Sequence, residues 1–228
     1  LKEKILNNSM LPFVIKDESV KQSMRIEPLF PLSVGFLQMD KAISKKFIEF
    51  IKITQLELIK NNGGAGVSSD VYILDNEEFS DIKQVLTDSV NQYFKEIINP
   101  GTDVKLYITN SWINVNNNGE YHPAHHHQNS IVSAVLYIDT YKGDSITFGN
   151  PYTTLFGNLR FGNNVTKWGS SEWTIPAMVN TLVMFPSTLP HMVTPRPNTC
   201  TGTRISLAFN TWFKGTIGGD GNLPQLHL

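Results

Sequence analysis

From Arg25 to Leu37 apolar residues crowd together at Ile26, Leu29, Phe30, Leu32, Val34, Phe36 and Leu37, and two prolines place this strand-like run near a sheet edge. After Asp40, a good helix N-cap by residue type, the period changes. Ile43, Phe47, Ile51, Leu56 and Ile59 recur at roughly helical spacing and predict a helix over 41–60, ended by Asn61-Asn62-Gly63-Gly64. A second helix is predicted over 78–98, with Phe79, Ile82, Val85, Leu86, Val90 and Phe94 on one face and Asn99-Pro100-Gly101 closing it. Beyond Thr102 short β-rich runs follow one another at 104–108, 111–115, 131–138, 145–148, 173–175, 181–185 and 203–212, separated by Gly, Asn and Pro. Two helices followed by a series of strands predict an α+β, mainly β fold: a sandwich or jelly roll with N-terminal helices packed on one sheet. The Gly/Asn-rich, aromatic stretch 152–171 reads as a long loop of the kind that forms lids.

The length of 228 residues suits a single domain over 1–228, with a strand and two supporting helices in 26–103 and the β core in 104–213. A net charge of -1, from 19 basic and 20 acidic residues, argues against a nucleic-acid partner. No apolar run reaches the length of a membrane span, no secretory h-region stands out, and the one cysteine, Cys200, forms no internal disulfide. The expectation is a cytoplasmic protein without a membrane partner. A homodimer is the protein partnership left open.

Chemistry enters with the histidines. Of six, four lie in the segment His122-Pro123-Ala124-His125-His126-His127, and His191 follows in Phe185-Pro186-Ser187-Thr188-Leu189-Pro190-His191. In a strand, positions i and i+2 share a face, roughly 7 Å apart, so His125 and His127 can converge on one ion while His126 points away. A local pair plus the distal His191 would fix three corners of a metal and leave others open for chemistry. The competing reading is a solvated histidine cluster. The strand 203–212 adds a second feature. Ile205, Leu207, Phe209 and Thr211 share one face, and Arg204, Ser206, Ala208 and Asn210 the other. An inward arginine needs an anion: a bound carboxylate held bidentately with help from the Ser206 hydroxyl, or an internal Asp or Glu in a structural salt bridge.

Taken in order, Trp112-Ile113-Asn114, Gly119 to His127, Ser133 to Tyr137, Phe185-Pro186-Ser187 to His191-Met192-Val193, and Arg204-Ile205-Ser206 resemble the Fe(II)/2-oxoglutarate-dependent oxygenases. The likeness is to a branch with a His-x-His metal motif, distantly similar to prolyl 4-hydroxylases, and covers about residues 26–213. The resemblance implies a double-stranded β-helix (jelly roll, cupin-like) and a dioxygenase that couples 2-oxoglutarate decarboxylation to oxidation of a substrate C–H bond, with hydroxylation as the default outcome. It implies Fe(II) on His125, His127 and His191, 2-oxoglutarate as cosubstrate and O2. Arg204 and Ser206 would take the far carboxylate, with Tyr137 and Asn114 as further cosubstrate contacts and no catalytic residue beyond the metal centre. Most of the superfamily has a carboxylate where His127 stands, so Asp139, Asp144 or Glu120 remain alternative third ligands. A site in which His127 stands behind the ligands and no third protein ligand is present is a further alternative; strand spacing favours His127. The implied substrate is a small molecule or a protein side chain. The rivals are a cupin-like three-histidine enzyme without 2-oxoglutarate, a non-catalytic binding domain of the same fold, and zinc hydrolysis. Trp112 is expected in the core or the pocket wall, His122 in a loop, Arg196 at the surface and Cys200 at a loop tip.

Overall fold

The computed structural model describes residues 31–100, 103–152, 169–196, 202–218 and 224–228. By contacts the chain divides into Leu1–Leu32 and a compact unit Ser33–Leu228, and nearly all described residues fall in the second. Of the first apolar run, residues 25–30 lie outside the described residues, 31–34 are irregular, and only Gly35–Gln38 forms a strand, β1, so the expected strand is shorter than its apolar pattern. Helix α1 (Lys41–Thr54) begins where the Asp40 side chain accepts the Ala42 N–H at 2.8 Å, as its residue type predicts. It ends sooner than its apolar spacing suggests. Gln55 turns left-handed (φ 46°), and the chain continues into strand β2 (Leu58–Lys60). Ile59 meets the helical period by coincidence and stands exposed on that strand. Strand β3 (Gly66–Ser68) pairs back on β2. Two 3₁₀ turns, Ile73–Asp75 and Glu77–Phe79, lead into helix α2 (Ser80–Ile97). Its buried stripe is Ile82, Leu86, Val90 and Phe94; Val85, expected on that face, is 45 % exposed.

The predicted runs 104–108 and 111–115 are one strand, β4 (Lys105–Asn116). The polar pair Thr109-Asn110 reads as a turn in sequence, yet it sits where the pairing register shifts opposite Asn210 and Thr211. Then come β5 (His122–His125), β6 (Val132–Asp139), β7 (Ser145–Gly149), β8 (Glu172–Pro176), β9 (Thr181–Pro186), β10 (His191–Val193) and β11 (Arg204–Lys214). A short pair, β12 (Thr216–Ile217) with β13 (Leu226–His227), follows. The predicted loop 152–171 lies outside the described residues except at its ends, and Cys200 lies outside them altogether. Among the described residues no helix is long and apolar enough to cross a membrane.

Two antiparallel sheets carry the architecture. The major sheet runs β1-β9-β6-β11-β4-β3-β2 and the minor one β5-β10-β7-β8. On one face of the major sheet Ile113, Ala134, Leu136, Leu207 and Phe209 pack in a single cluster with Phe47, Phe79, Leu86, Val90 and Phe94 of the helical layer. Full burial of each large side chain there contributes about 1.5–3 kcal/mol, which is what fastens the helices to the sheet. A hydrogen-bonded clamp adds to it: the Asn91 amide donates to the Leu106 carbonyl at 2.9 Å, and its oxygen accepts the Leu106 N–H at 2.8 Å. A smaller cluster of Tyr137, Ile146, Phe148, Val183, Phe185 and Leu189 joins the two sheets. The alternating residues of β4, β6 and β11 that point away from the helices face the cavity between the sheets.

Candidate metal centre and anion pocket

The cavity is lined from the major sheet by Trp112, Asn114, Asn116, Val135, Tyr137, Arg204, Ser206 and Ala208, and from the minor side by His122, His125, His127, Ile146, His191 and Val193. Register explains the first set. Arg204 lies opposite Asn116, Ser206 opposite both Asn114 and Tyr137, and Ala208 opposite Trp112 and Val135. Alternation along three neighbouring strands therefore brings every one of these side chains to the same face.

His125, His127 and His191 each bring one ring nitrogen within 4.8 Å of the others. His125 and His191 are direct cross-strand partners on β5 and β10. His127 stands two residues past the end of β5, so strand spacing alone does not deliver it. A hydrogen bond from its backbone N–H to the Ser187 carbonyl, 2.9 Å, extends the pairing and turns its ring inward. Nδ1 of His125 lies 2.7 Å from the Pro123 carbonyl, and Nδ1 of His191 lies 3.0 Å from the Leu189 carbonyl. Each contact requires the proton on Nδ1 and so leaves Nε2 with a free lone pair, the arrangement that orients metal-bound histidines. The Nε2 atoms of His127 and His191 are 3.3 Å apart. Two nitrogens about 2.1 Å from a common ion stand roughly 3.0–3.4 Å apart for angles between octahedral and tetrahedral, so the spacing suits shared coordination. Burial first, then the neighbouring imidazoles, lower the His127 pKa to about 4. Burial lowers that of His191 to about 3, opposed by the hydrogen bond its Nδ1 donates to the Leu189 carbonyl and aided by the charges of the neighbouring imidazoles. Both rings are neutral at ordinary pH, the form a metal needs.

The carboxylate alternatives are used elsewhere. Among the described residues the metal-competent cluster holds His125, His127 and His191 alone. Glu120 pairs with Lys60 at 2.6 Å and accepts the Asn117 N–H. Asp144 is bound to Arg196 at 2.8 Å. Asp139 ends β6 opposite Ile205 and does not line the cavity.

Arg204 is 2 % exposed and, among the described residues, has no carboxylate within ion-pair distance. Burial lowers its pKa and Arg196 acts in the same direction, while Tyr137 and Asp144 oppose them. A guanidinium remains charged under such pressure, so the cavity is primed for an anion. Burial raises the Tyr137 pKa, which keeps its hydroxyl protonated as a donor beside Arg204. Two more polar atoms are buried without partners: Oδ1 of Asn114 and Nδ2 of Asn116. Unpaired buried polar atoms are costly unless a ligand completes them.

The structure thus gathers all seven sequence-derived residues, His125, His127, His191, Arg204, Ser206, Tyr137 and Asn114, into one cavity. Trp112 is in its wall, as expected. His122, expected in a loop, belongs to β5 and lines the cavity, its ring 5.6 Å from that of His125. Asn116 was legible only by extending the alternation of Trp112 and Asn114 one step further. A buried serine chain went unread: Ser187 Oγ meets Ser130 at 2.7 Å and Ser133 at 2.8 Å, and Ser133 donates to Asn210 at 2.7 Å. It fixes the Ser187 turn whose carbonyl holds His127. Arg196, expected at the surface, is buried, because its neighbouring prolines say nothing about the tertiary pocket that receives it.

Residues 110–210 match a family model described as a putative 2OG-Fe(II) oxygenase. No curated protein matches the sequence. Among solved structures, a prolyl-4-hydroxylase from Pseudomonas putida is similar at 16 % identity and a TM-score of 0.53, over 80 % of this chain and 92 % of that one. HygX from Streptomyces hygroscopicus, solved with nickel and 2-oxoglutarate bound, shows 10 % identity and a TM-score of 0.54 over 79 % and 82 % of the two chains. A viral collagen prolyl hydroxylase from Paramecium Bursaria Chlorella virus-1 shows 14 % identity and a TM-score of 0.50 over 78 % and 94 %. The structural likenesses establish the double-stranded β-helix, and the segment 110–210, which carries all seven site residues, matches the model of the 2OG-Fe(II) oxygenases.

Proposed function

We propose that His125, His127 and His191 hold Fe(II), that Arg204 takes the far carboxylate of 2-oxoglutarate, and that the enzyme hydroxylates a C–H bond of a small molecule or a protein side chain. The observation that carries this reading is the pairing, in one cavity, of three convergent neutral imidazoles with a buried arginine that has no carboxylate partner among the described residues. When bound, the iron supplies the redox chemistry by which O2 and 2-oxoglutarate yield succinate, CO2 and an oxidised substrate. The chain's own residues bind and orient. The Pro123 and Leu189 carbonyls hold the His125 and His191 rings with Nε2 inward. Arg204 offers a bidentate fork, the Ser206 and Tyr137 hydroxyls offer donors beside it, and Asn114 completes its buried amide on bound cosubstrate. Three neutral ligands leave the full divalent charge in the site, where a carboxylate ligand would cancel one unit, so anionic cosubstrate is bound more tightly. The Trp112 indole and the aliphatic wall of Val135, Ile146 and Ala208 exclude water from the reacting region.

Anaerobic titration of the metal-free protein with Fe(II) and 2-oxoglutarate tests the reading. A visible charge-transfer band is expected for the wild type. It disappears in His127→Ala and requires far more 2-oxoglutarate in Arg204→Ala. Tight iron binding without a band would overturn the cosubstrate assignment in favour of a three-histidine enzyme that does not use 2-oxoglutarate.

A further inference from the structure

A buried ion pair stands directly behind the anion pocket. Arg196 and Asp144 are each 3 % exposed, with Nε donating to Oδ1 at 2.8 Å. The second carboxylate oxygen, Oδ2, accepts the Tyr141 N–H at 2.8 Å. Nη1 of Arg196 donates to two backbone carbonyls, Asn116 at 3.0 Å and Gly202 at 2.7 Å. Both carbonyls flank Arg204. Asn116 is its cross-strand partner on β4, and Gly202 lies two residues before it in the chain. This end of the fold therefore buries two guanidinium groups and one carboxylate, a surplus of one positive charge. Both oxygens of the carboxylate are already engaged, by Arg196 and the Tyr141 N–H, neither of which lines the cavity.

The alternative arrangement is easily stated. Asp144 is close enough to act electrostatically on Arg204. Without Arg196, its charge would fall to Arg204 as the remaining buried cation, and a neutralised Arg204 has little attraction for an incoming anion. We propose that Arg196 is a positioning residue for cosubstrate binding: by engaging Asp144 and the carbonyls of Asn116 and Gly202, it keeps Arg204 free of an internal partner and open to an external carboxylate. This rests on the reading that Arg204 takes a carboxylate of 2-oxoglutarate.

The test is oxygen-free calorimetric titration of the metal-loaded full chain with 2-oxoglutarate, for wild type, Arg196→Met, Asp144→Asn and the double variant, with Fe(II) affinity measured alongside. Arg196→Met is expected to bind 2-oxoglutarate at least about tenfold more weakly, the scale on which loss of a charge-assisted pair acts, with Fe(II) affinity unchanged. Asp144→Asn removes the competing charge and keeps affinity at the wild-type level or better. The double variant recovers to within about threefold of wild type, the non-additivity expected of directly coupled charges. Because the double variant carries no buried unpaired carboxylate, it also guards against misfolding of Arg196→Met. A merely structural pair predicts the opposite pattern: all three variants weakened alike, with no recovery. That result, or unchanged affinity in Arg196→Met, would overturn the inference while leaving the proposed function standing. Absence of 2-oxoglutarate binding in the wild type would instead remove the function reading on which the inference depends.

Discussion

At the scale of single residues the site is a set of groups whose charge states are fixed by burial. Burial, followed by the charges of neighbouring imidazoles and of Arg204, lowers the His122 pKa to about 4, close to that of His127 and a little above the value near 3 for His191. An unfolded histidine titrates near 6.5. Between these values the unfolded chain binds more protons than the native one, so stability is complete above about pH 6.5 and is lost as pH falls toward about 4. The expected result is a thermal midpoint for the chelator-treated protein that drops between about pH 7 and about pH 5; a level midpoint would show that the rings are not held neutral. Three of the site's residue-level assignments were legible because their chemistry is tied to sequence position: an imidazole pair two residues apart, a distal histidine and an inward arginine. The role of Asn116 was legible only through the alternation of β4, and the Asp144–Arg196 pair was not legible at all. A buried asparagine or ion pair is recognised by what surrounds it, and those surroundings come from the end of β4, the turn before β7 and the segments at Arg196 and Gly202.

At the scale of elements, alternation along β11 separates function from stability. Ser206 faces the cavity and Leu207, its neighbour, is fully buried against the helical layer. Ser206→Ala is expected to raise the 2-oxoglutarate requirement and leave the unfolding free energy within about 0.5 kcal/mol of wild type. Leu207→Ala is expected to lower stability by about 2–5 kcal/mol and leave cosubstrate affinity unchanged. Urea denaturation and ligand titration of the two variants check both halves, and equal effects of the two would mean that the faces are not independent. Asn91→Ala belongs to the same scale. It strips the Leu106 N–H and carbonyl of their side-chain partner where α2 meets β4, and a loss of about 1–3 kcal/mol is expected, read as a shifted urea midpoint with unchanged slope. The sequence pattern located α2 and the strands of the core to within a few residues. It overextended α1, since Ile59 kept the helical period while Gln55 had already turned the backbone, and it divided β4, since a polar pair inside a strand looks like a turn until its partner strand is known.

For the whole molecule, the proposed metal ligands join parts of the chain that lie 64 positions apart, so an ion bound there would tie β5 to β10. A ligand that binds only the folded state stabilises it by about 2.7 kcal/mol at a concentration 100 times its dissociation constant. Fe(II) under anaerobic conditions is therefore expected to raise the thermal midpoint of the wild type and a chelator to reverse the rise. His191→Ala should lose most of the shift; an equal shift in that variant would place the ion elsewhere.

The sequence by itself determined the two helices, the main strands of the β core, most of their hydrophobic faces, and the residue chemistry of the site. These follow from local periodicity and from side chains whose roles are few, and the ordered series of motifs from Trp112 to Ser206 carried the class of protein with them. Tertiary structure decided which groups are free to act. It placed His127 by a backbone bond to Ser187 rather than by strand geometry, drew Asp144 and Glu120 away into their own ion pairs, and left Arg204 without an internal carboxylate among the described residues. The physical reason is that burial and pairing depend on segments distant in the chain, and a titratable side chain has no fixed charge or partner until those segments have closed around it.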